Sequence, residues 1–211
     1  MENTNSAPGW VIGLILFLMF VVLPGGSWYY LQAGTKFRKE LLDKLEHKGA
    51  MPLVKGTNFD GTPINSLTEQ KGLFIVTFSD FGDAPLSQSK IALLQKLHQQ
   101  FDVRKDVFFL NLVPDSSFFD PAKLNKFVSK NNLSDAAQFL FLQADAPLTK
   151  DDFHFSYKKG ETEANNSYFA LVDFDREIRS FYDVTQQADQ ELLVKHLAIL
   201  LPTVKKRKVA K

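Results

Sequence analysis

The most informative segment of the chain reads Leu73-Phe74-Ile75-Val76-Thr77-Phe78-Ser79-Asp80-Phe81-Gly82-Asp83-Ala84-Pro85. It begins as an unbroken apolar run, which is typical of a buried β-strand. The run ends in a polar turn that contains Asp, Gly and Pro, and a helical pattern over residues 86–101 follows directly. A buried strand, a tight turn and a helix N-terminus predict the start of a βαβ unit.

The same alternation of strands and helices continues along the chain. The further predicted elements are a hairpin at residues 59–64 turned on Asp60-Gly61, strands at 107–113 and 138–142, helices at 121–131 and 187–201, a hairpin at 168–173 and 178–183, and a small helix at 149–155. Helices between parallel strands predict an α/β sheet, and the late hairpin makes the sheet mixed. This order of elements is that of the thioredoxin-like fold. The predicted fold is therefore a thioredoxin-like mixed sheet flanked by helices and preceded by one transmembrane helix.

The N-terminal part of the chain has the composition of a membrane span. No charged residue occurs between Asn3 and Thr35, and residues 10–23 are apolar without interruption. Counted through Leu31, the segment reaches the roughly 20 residues that a span needs. Aromatic residues typical of membrane interfaces flank it: Trp10 on one side, and Trp28, Tyr29 and Tyr30 on the other. A cleaved signal peptide would begin with a basic region, which is missing here, so we expect a retained anchor.

Changes in composition divide the rest of the chain. The predicted parts are a short polar N-terminus at residues 1–8, the anchor at 9–31, an amphipathic stalk at 32–49, a globular domain at 50–202 and a basic tail at 203–211. Within the stalk, residues 37–48 have apolar side chains at helical spacing. Gly49 is expected to end this helix.

The net charge of +1 conceals an uneven distribution. The tail carries five basic residues, whereas residues 50–204 contain 15 basic and 20 acidic ones. An acidic domain argues against nucleic-acid binding, which needs a basic face. The tail is expected either to contact anionic lipid or an acidic partner, or to stay solvated.

The chain contains no cysteine, which excludes disulfides, CxxC redox chemistry and thiolate metal sites. Its four histidines are His47, His98, His154 and His196, and they lack the spacing of a metal site. His154 is expected at the surface, and His98 and His196 at the surface or the core edge of helices. Neither a catalytic residue nor a cofactor is predicted.

Four segments together resemble the Sco/SenC family, which comprises membrane-anchored, thioredoxin-like copper chaperones for cytochrome oxidase assembly. The segments are residues 58–64 with Leu67, residues 76–85, residues 114–124, and the hairpin at 168–182, which is similar to the family pattern Y-L-I-D-x-x-G-x-I-R-x-x-Y. The order and spacing of the segments carry the resemblance. It covers the anchor and residues 50–201.

The resemblance implies a copper site that this chain has lost. The family binds copper with two cysteines, three residues apart in the turn, and one histidine before the hairpin. Here the turn is one residue shorter. Phe81 or Asp80 occupies the position of the family's first cysteine, Ala84 that of the second cysteine and Asn165 that of the histidine. A Ca²⁺ or Mg²⁺ site on Asp80 and Asp83 would need more oxygens, so we expect both carboxylates to be solvated, with Asp83 helping to cap the next helix.

The sequence therefore predicts a non-catalytic protein rather than an enzyme. The resemblance implies a role in the assembly or stabilisation of a respiratory complex, cytochrome c oxidase, through contacts with the oxidase or its assembly factors. The candidate contact surface comprises Asp80, Phe81, Asp83, Ala84 and Asn165. Two alternatives stay open: a permanent accessory subunit of a membrane complex and, less favoured, a copper carrier or thiol oxidoreductase.

Two signals disagree about the side of the membrane on which the domain lies. The resemblance implies an inner-membrane protein with its domain in the periplasm, or facing the intermembrane space of a mitochondrion. Residues 36–48 contain five basic and three acidic residues, and the positive-inside rule would place them in the cytoplasm. We follow the resemblance because this charge excess is small.

Overall fold

The computed structural model describes residues 8–64, 67, 70–78, 85–113, 121–144, 152–153 and 167–201. Its contacts divide the chain into two compact units, Met1–Lys44 and Leu45–Lys211. The first unit is dominated by one exposed apolar helix, and the second by a buried sheet.

The first unit is helical throughout its described residues from Gly9 to Leu42. Helix α1 spans Gly9–Phe17, a π-helical segment follows at Leu18–Val22, and helix α2 spans Leu23–Leu42. No residue of α1 is buried, although nearly all of them are apolar. Such a surface is unfavourable in water but suits the interior of a bilayer. Among the described residues, Gly9–Leu42 is the one helix that is long and apolar enough to cross a membrane.

The helix predicted over residues 37–48 is wrong in its last part, because α2 ends at Leu42. The main-chain N–H groups of Glu46 and Lys48 instead donate to main-chain oxygens of the sheet, at 3.1 and 2.8 Å. This pairing satisfies groups that would otherwise continue the helix. Gly49 then adopts a φ of 127°, a backbone conformation that residues other than glycine rarely adopt, and it leads into the first strand.

The second unit contains one mixed sheet of eight strands in its described residues. The strands are β1 (Gly49–Ala50), β2 (Gly56–Asn58), β3 (Pro63–Ile64), β4 (Leu73–Phe78), β5 (Val107–Val113), β6 (Phe139–Ala144), β7 (Tyr168–Val172) and β8 (Glu177–Asp183). The helices are α3 (Pro85–Phe101), α4 (Pro121–Lys130) and α5 (Gln187–Leu200). Across the sheet the order is β1-β8-β7-β4-β5-β6-β2-β3. Strands β4, β5 and β6 are parallel, whereas β7 runs antiparallel to β4.

The side chains of the central strand alternate between two apolar cores. Leu73 and Ile75 belong to the core that also contains residues of α3, α4 and α5, which we call the helix-side core. Phe74 and Val76 belong to the core on the other face, which includes Phe153. Because both faces of β4 are covered, the strand is apolar at nearly every position, as its sequence predicted.

The predicted α/β class and the mixed sheet are confirmed. The predicted helices and strands that fall on described residues are present, and their ends shift by at most three residues; β6, for instance, continues to Ala144 instead of ending at 142. The hairpin turned on Asp60-Gly61 is present as β2 and β3. The small helix predicted at residues 149–155 lies outside the described residues, apart from a turn at 152–153.

We expect Gly72→Ala to lower the free energy of unfolding by about 1–3 kcal/mol, because the position is already filled. A methyl carbon there would lie 2.6 Å from the Phe108 ring and 2.7 Å from the main-chain oxygen of Asp106. The Phe108 ring is stacked on Phe74 with ring centres 5.0 Å apart, and the oxygen accepts a 2.8 Å hydrogen bond from the Leu73 N–H. Thermal unfolding of the full chain in detergent would measure the effect. Gly34→Ala, where nothing lies within 4 Å, is the control, and equal melting temperatures for both variants would contradict the prediction.

Candidate functional site

All five residues of the predicted contact surface lie outside the described residues. Asp80, Phe81, Asp83 and Ala84 belong to the segment between β4 and α3, and Asn165 belongs to the segment before β7. The grouping of these residues therefore stays a prediction. The described strands and helix that border the two segments define where the segments leave and enter the sheet.

The two segments attach to the same edge of the sheet. Strand β4 runs towards this edge and ends at Phe78, and β7 starts there, because it is antiparallel to β4 with Val76 opposite Ala170. Continuing this register places Phe78 beside Tyr168. Ligand-binding residues of α/β proteins commonly lie at the carboxyl ends of parallel strands, and this is that edge for β4, β5 and β6.

Three buried polar side chains lie near this edge. Thr77 in β4 stands opposite Asn111 in β5, and both are fully buried. The Asn111 amide donates to the main-chain oxygen of Phe109 at 3.3 Å. Lys90 of α3 is 7% exposed and its Nζ donates to the main-chain oxygen of Phe78 at 2.6 Å. These groups supply an amine, a hydroxyl and an amide, all of which form hydrogen bonds.

Lys90 ties the two sides of the candidate turn together. Its ammonium group comes from the first half of α3, and its acceptor is the last residue of β4. A charged donor makes this hydrogen bond stronger than a neutral one, and it offsets part of the cost of burying the charge. Lys90 is thus a positioning residue that fixes the distance between strand end and helix.

The sequence analysis did not identify Lys90 as a buried residue, although the spacing of residues along α3 indicates its position. Lys90, Leu94 and Leu97 follow the i, i+4, i+7 spacing of one helix face, so the lysine falls on the face that enters the core. A lysine in that position is buried only when its ammonium group finds an acceptor. The carbonyl at the end of β4 is that acceptor.

Two of the described histidines, His98 and His196, have structural roles, and His154 lies outside the described residues. His196 is fully buried, and the expectation of a surface or core-edge position is wrong for this residue. Its Nδ1 lies 2.6 Å from the Tyr182 hydroxyl. Burial raises the pKa of Tyr182, so the phenol stays protonated, and a hydrogen bond joins it to the imidazole. His98 is partly buried at the edge of the helix-side core, as expected, with Nε2 3.1 Å from Asp135 Oδ2 and its ring 5.0 Å from that of Phe139.

The hairpin that follows the second segment is stabilised by Asp173. The carboxylate is 6% exposed and accepts main-chain hydrogen bonds from Asp175 and Glu177 at 2.9 and 3.0 Å. Its other oxygen accepts a hydrogen bond from Arg179 at 3.0 Å. The residue at the glycine position of the family pattern is Arg176, which adopts a left-handed φ of 67°.

Arg176 compensates for its unfavourable backbone conformation through its side chain. The guanidinium group donates to the main-chain oxygens of Leu67 and Gln70, and it lies 4.4 Å from the centre of the Phe74 ring. Burial lowers the pKa of Arg176, which nevertheless stays charged. The arginine therefore links the hairpin to the segment that leads into β4.

Two substitutions of Arg176 should separate these effects. Arg176→Ala and Arg176→Gly both remove the charged hydrogen bonds, and both should lower the free energy of unfolding by about 1.5–3 kcal/mol. Glycine accepts the φ of 67° without strain, so we expect Arg176→Gly to be the more stable of the two by about 1–2 kcal/mol. Chemical denaturation of both variants measures the difference. Equal stabilities would show that the left-handed backbone costs nothing here.

Within the described residues, no group of three or more His, Asp or Glu side chains could hold a metal ion. The sequence contains no thiol. What the described edge offers is a set of hydrogen-bonding groups at the end of the central strand of a thioredoxin-like domain. Such an edge positions loops, and it supplies neither a soft metal ligand nor a redox-active sulfur.

The fold is shared with solved structures of Sco proteins and thiol oxidoreductases. A SCO1/SenC family lipoprotein from Bacillus anthracis str. Ames matches 72% of this chain and 94% of its own, with a TM-score of 0.54 and 19% identity. BsSco, a member of the Sco family of cytochrome c oxidase assembly proteins with a disulfide switch, matches 71% of this chain and 92% of its own, with a TM-score of 0.51 and 17% identity.

A putative protein disulfide isomerase from Bacteroides thetaiotaomicron is similar to a comparable extent. It matches 74% of this chain and 91% of its own, with a TM-score of 0.54 and 14% identity. No protein-family profile and no curated protein matches the sequence. At these identities the likeness shows the fold, and the fold is thioredoxin-like, as predicted.

Proposed function

We propose that the chain is a cysteine-free member of the Sco/SenC family that serves as a non-catalytic, membrane-anchored factor in the assembly or stabilisation of cytochrome c oxidase. One observation carries the proposal: β4 and α3 frame the turn of a thioredoxin-like domain, yet the chain has no cysteine to place there. The fold shared with two Sco structures, one of them an oxidase assembly protein, supports the choice of family.

The proposal assigns the candidate edge to protein contact because its chemistry is unsuited to the alternatives. Thiol–disulfide exchange needs a thiolate that attacks a disulfide, and this chain has none. Cu(I) prefers thiolate and thioether ligands, and the positions of the family's ligands hold Phe81 or Asp80, Ala84 and Asn165. Of the side chains at these positions, the aromatic ring of Phe81 is of the kind that is enriched at protein interfaces.

Copper analysis of the purified full chain tests the non-catalytic part of the proposal. We expect metal far below one copper per chain after exposure to Cu(I) and removal of the excess. Tightly held, stoichiometric copper would overturn the proposal in favour of a copper carrier.

Co-purification tests the partner. The full chain, carrying an affinity tag and extracted in mild detergent, is expected to recover cytochrome c oxidase in substoichiometric amounts. The triple variant Asp80→Ser, Phe81→Ser and Asp83→Ser should lose this recovery. A matched control, Asp102→Ser, Val103→Ser and Lys105→Ser, changes the α3–β5 turn at the opposite edge and should keep it. Loss in both variants, or in neither, would contradict the assignment of the surface.

The stoichiometry of the same experiment separates the proposal from its main alternative. A fixed ratio of chain to oxidase would identify a permanent accessory subunit, and absence of oxidase would overturn the choice of partner.

We further propose that the domain lies in the periplasm or the intermembrane space. A C-terminal reporter that is active only in the cytoplasm should therefore stay inactive, and activity would exclude this topology.

A further inference from the structure

The charged residues of the sheet domain are distributed unevenly among its helices. Helix α3 contains two lysines and α4 three, and neither helix contains Asp or Glu. In contrast, residues 168–200 contain six acidic and three basic residues. Lys90 of α3 is buried, so the exposed positive charge of these two helices comes from Lys96 and the three lysines of α4. These four residues form a positive region on a domain that is acidic overall.

The lysines of α4 lie along one side of the helix. Lys123, Lys126 and Lys130 are exposed, and their spacing of three and four residues aligns them in a stripe. The opposite side buries Leu124 and Val128, which are 3% and 1% exposed. We call two of these lysines, Lys126 and Lys130, the α4 lysine stripe. The orientation of the stripe is fixed because the buried side anchors the helix on the sheet.

The positive region extends from α4 to its neighbour. Gln95 of α3 donates a hydrogen bond to the main-chain oxygen of Asn131, directly after α4, at 2.6 Å. The next residue of α3, Lys96, is exposed. Within the described part of the chain, Lys96, Lys126 and Lys130 form no ion pair with a carboxylate. Their charges are therefore available to an anionic partner.

We propose that the α4 lysine stripe binds anionic lipid headgroups of the membrane that carries the chain. The inference rests on the anchoring in the proposed function. The candidate span ends at Leu42 and the sheet domain begins at Leu45, so the domain is held at a high effective concentration near the headgroups. Lysines on long, flexible stems suit such a surface because it requires charge without a fixed geometry.

Lysine labelling of the full chain in nanodiscs tests the proposal. Acetylation by an amine-reactive ester is followed by mass spectrometry, in discs of phosphatidylcholine alone and in discs with added phosphatidylglycerol. We expect labelling of Lys126 and Lys130 to slow by about fivefold in the anionic discs. Labelling of the exposed Lys105 and Lys195 should not change. High salt should abolish the protection because it screens surface charges.

Charge-reversal variants provide the matched comparison. Lys126→Glu with Lys130→Glu should remove the lipid-dependent protection of Lys96, whereas Lys105→Glu with Lys195→Glu, which changes the charge equally, should retain it. All chains carry serine in place of Lys205, Lys206, Arg207, Lys208 and Lys211, so the tail cannot supply the attraction. Because both double variants change the net charge equally, a difference between them reports on the position of the lysines.

Each outcome is decisive. Equal labelling in both kinds of disc would overturn the proposal and leave the stripe as a surface for an acidic protein. Protection in both kinds of disc would show burial without lipid selectivity, and it would overturn the proposal too. Failure of the chain to enter the discs at all would instead contradict the anchoring, which distinguishes that failure from failure of the lysine stripe.

Discussion

Replacing Phe109 by alanine should lower the free energy of unfolding by about 3–5 kcal/mol. The side chain is fully buried in the helix-side core. Its ring stacks on Phe139 at 4.9 Å and approaches His98 edge-on at 6.4 Å. Phe109 lies in β5 between Ile75 of β4 and Phe139 of β6, so truncation would open a cavity between three hydrogen-bonded strands that cannot move together to fill it.

Chemical denaturation of the full chain in detergent, followed by near-ultraviolet circular dichroism, measures this effect on the sheet domain. Leu53→Ala is the matched control, because the side chain is apolar but 58% exposed. It should change the stability by less than about 0.5 kcal/mol. If Phe109→Ala proved as stable as Leu53→Ala, the stacked aromatic core of β5 and β6 would not determine stability.

The parts of the fold that could be predicted are those in which burial on both faces leaves a continuous apolar run. β4 and β5 are such strands, and the sequence located both almost to the residue. β6 continues beyond its apolar part, because Gln143 pairs with Thr57 of β2. A polar residue held by backbone pairing at the rim of a sheet leaves no hydrophobic signal, so the end of this strand could not be predicted.

Buried polar residues escaped prediction for a related reason. Lys90, Arg176 and His196 were treated as surface residues or passed over, since such side chains are seldom buried without partners. Their partners come from distant parts of the chain: the Phe78 carbonyl, the carbonyls of Leu67 and Gln70, and the Tyr182 hydroxyl. The spacing of residues in the sequence shows which face of a helix a residue occupies, but it does not show whether a hydrogen-bond partner lies beside it.

For the candidate site, the sequence and the structure answer different questions. The absence of thiol chemistry follows from residue identity alone, since no cysteine exists at any position. The position of the turn follows from the fold, because β4 is central and ends at the edge where β7 begins. Neither the sequence nor the described residues test whether the five predicted surface residues form a contact surface. Substitution of Asp80, Phe81 and Asp83 tests whether these three residues bind a partner.

The proposed anchor and the proposed lipid contact of the lysine stripe would together keep the domain close to the membrane surface. A domain whose β1 begins at Gly49, a few residues after the candidate span ends at Leu42, can reach only partners that lie close to the bilayer. Residues of an integral membrane complex that project from the membrane meet this condition. The proposed role therefore depends on the span being retained in the mature protein.

Two arginines in the middle of the candidate span should release the chain from the membrane. Each arginine at the centre of a membrane helix costs about 2.5–3.5 kcal/mol of insertion free energy, so Leu16→Arg with Phe20→Arg should cost about 5–7 kcal/mol. Both side chains are exposed on a helix with no described buried residue between Gly9 and Val22, so no protein contact would shield the charges. Alkaline extraction of membranes should move this variant from the pellet to the soluble fraction.

The control variant places the same charges at the helix end. Gln32→Arg with Thr35→Arg lies beyond the apolar segment, where arginine side chains reach the headgroups at little cost, and this variant should stay in the pellet. Retention of the Leu16 and Phe20 variant would contradict a spanning helix, because two central charges without partners oppose insertion by about 5–7 kcal/mol. Release of the unmodified chain would indicate that the apolar helix had been removed or never inserted. Only retention of the unmodified chain and of the control, with release of the central variant, identifies Gly9–Leu42 as an anchor that holds the domain at the bilayer.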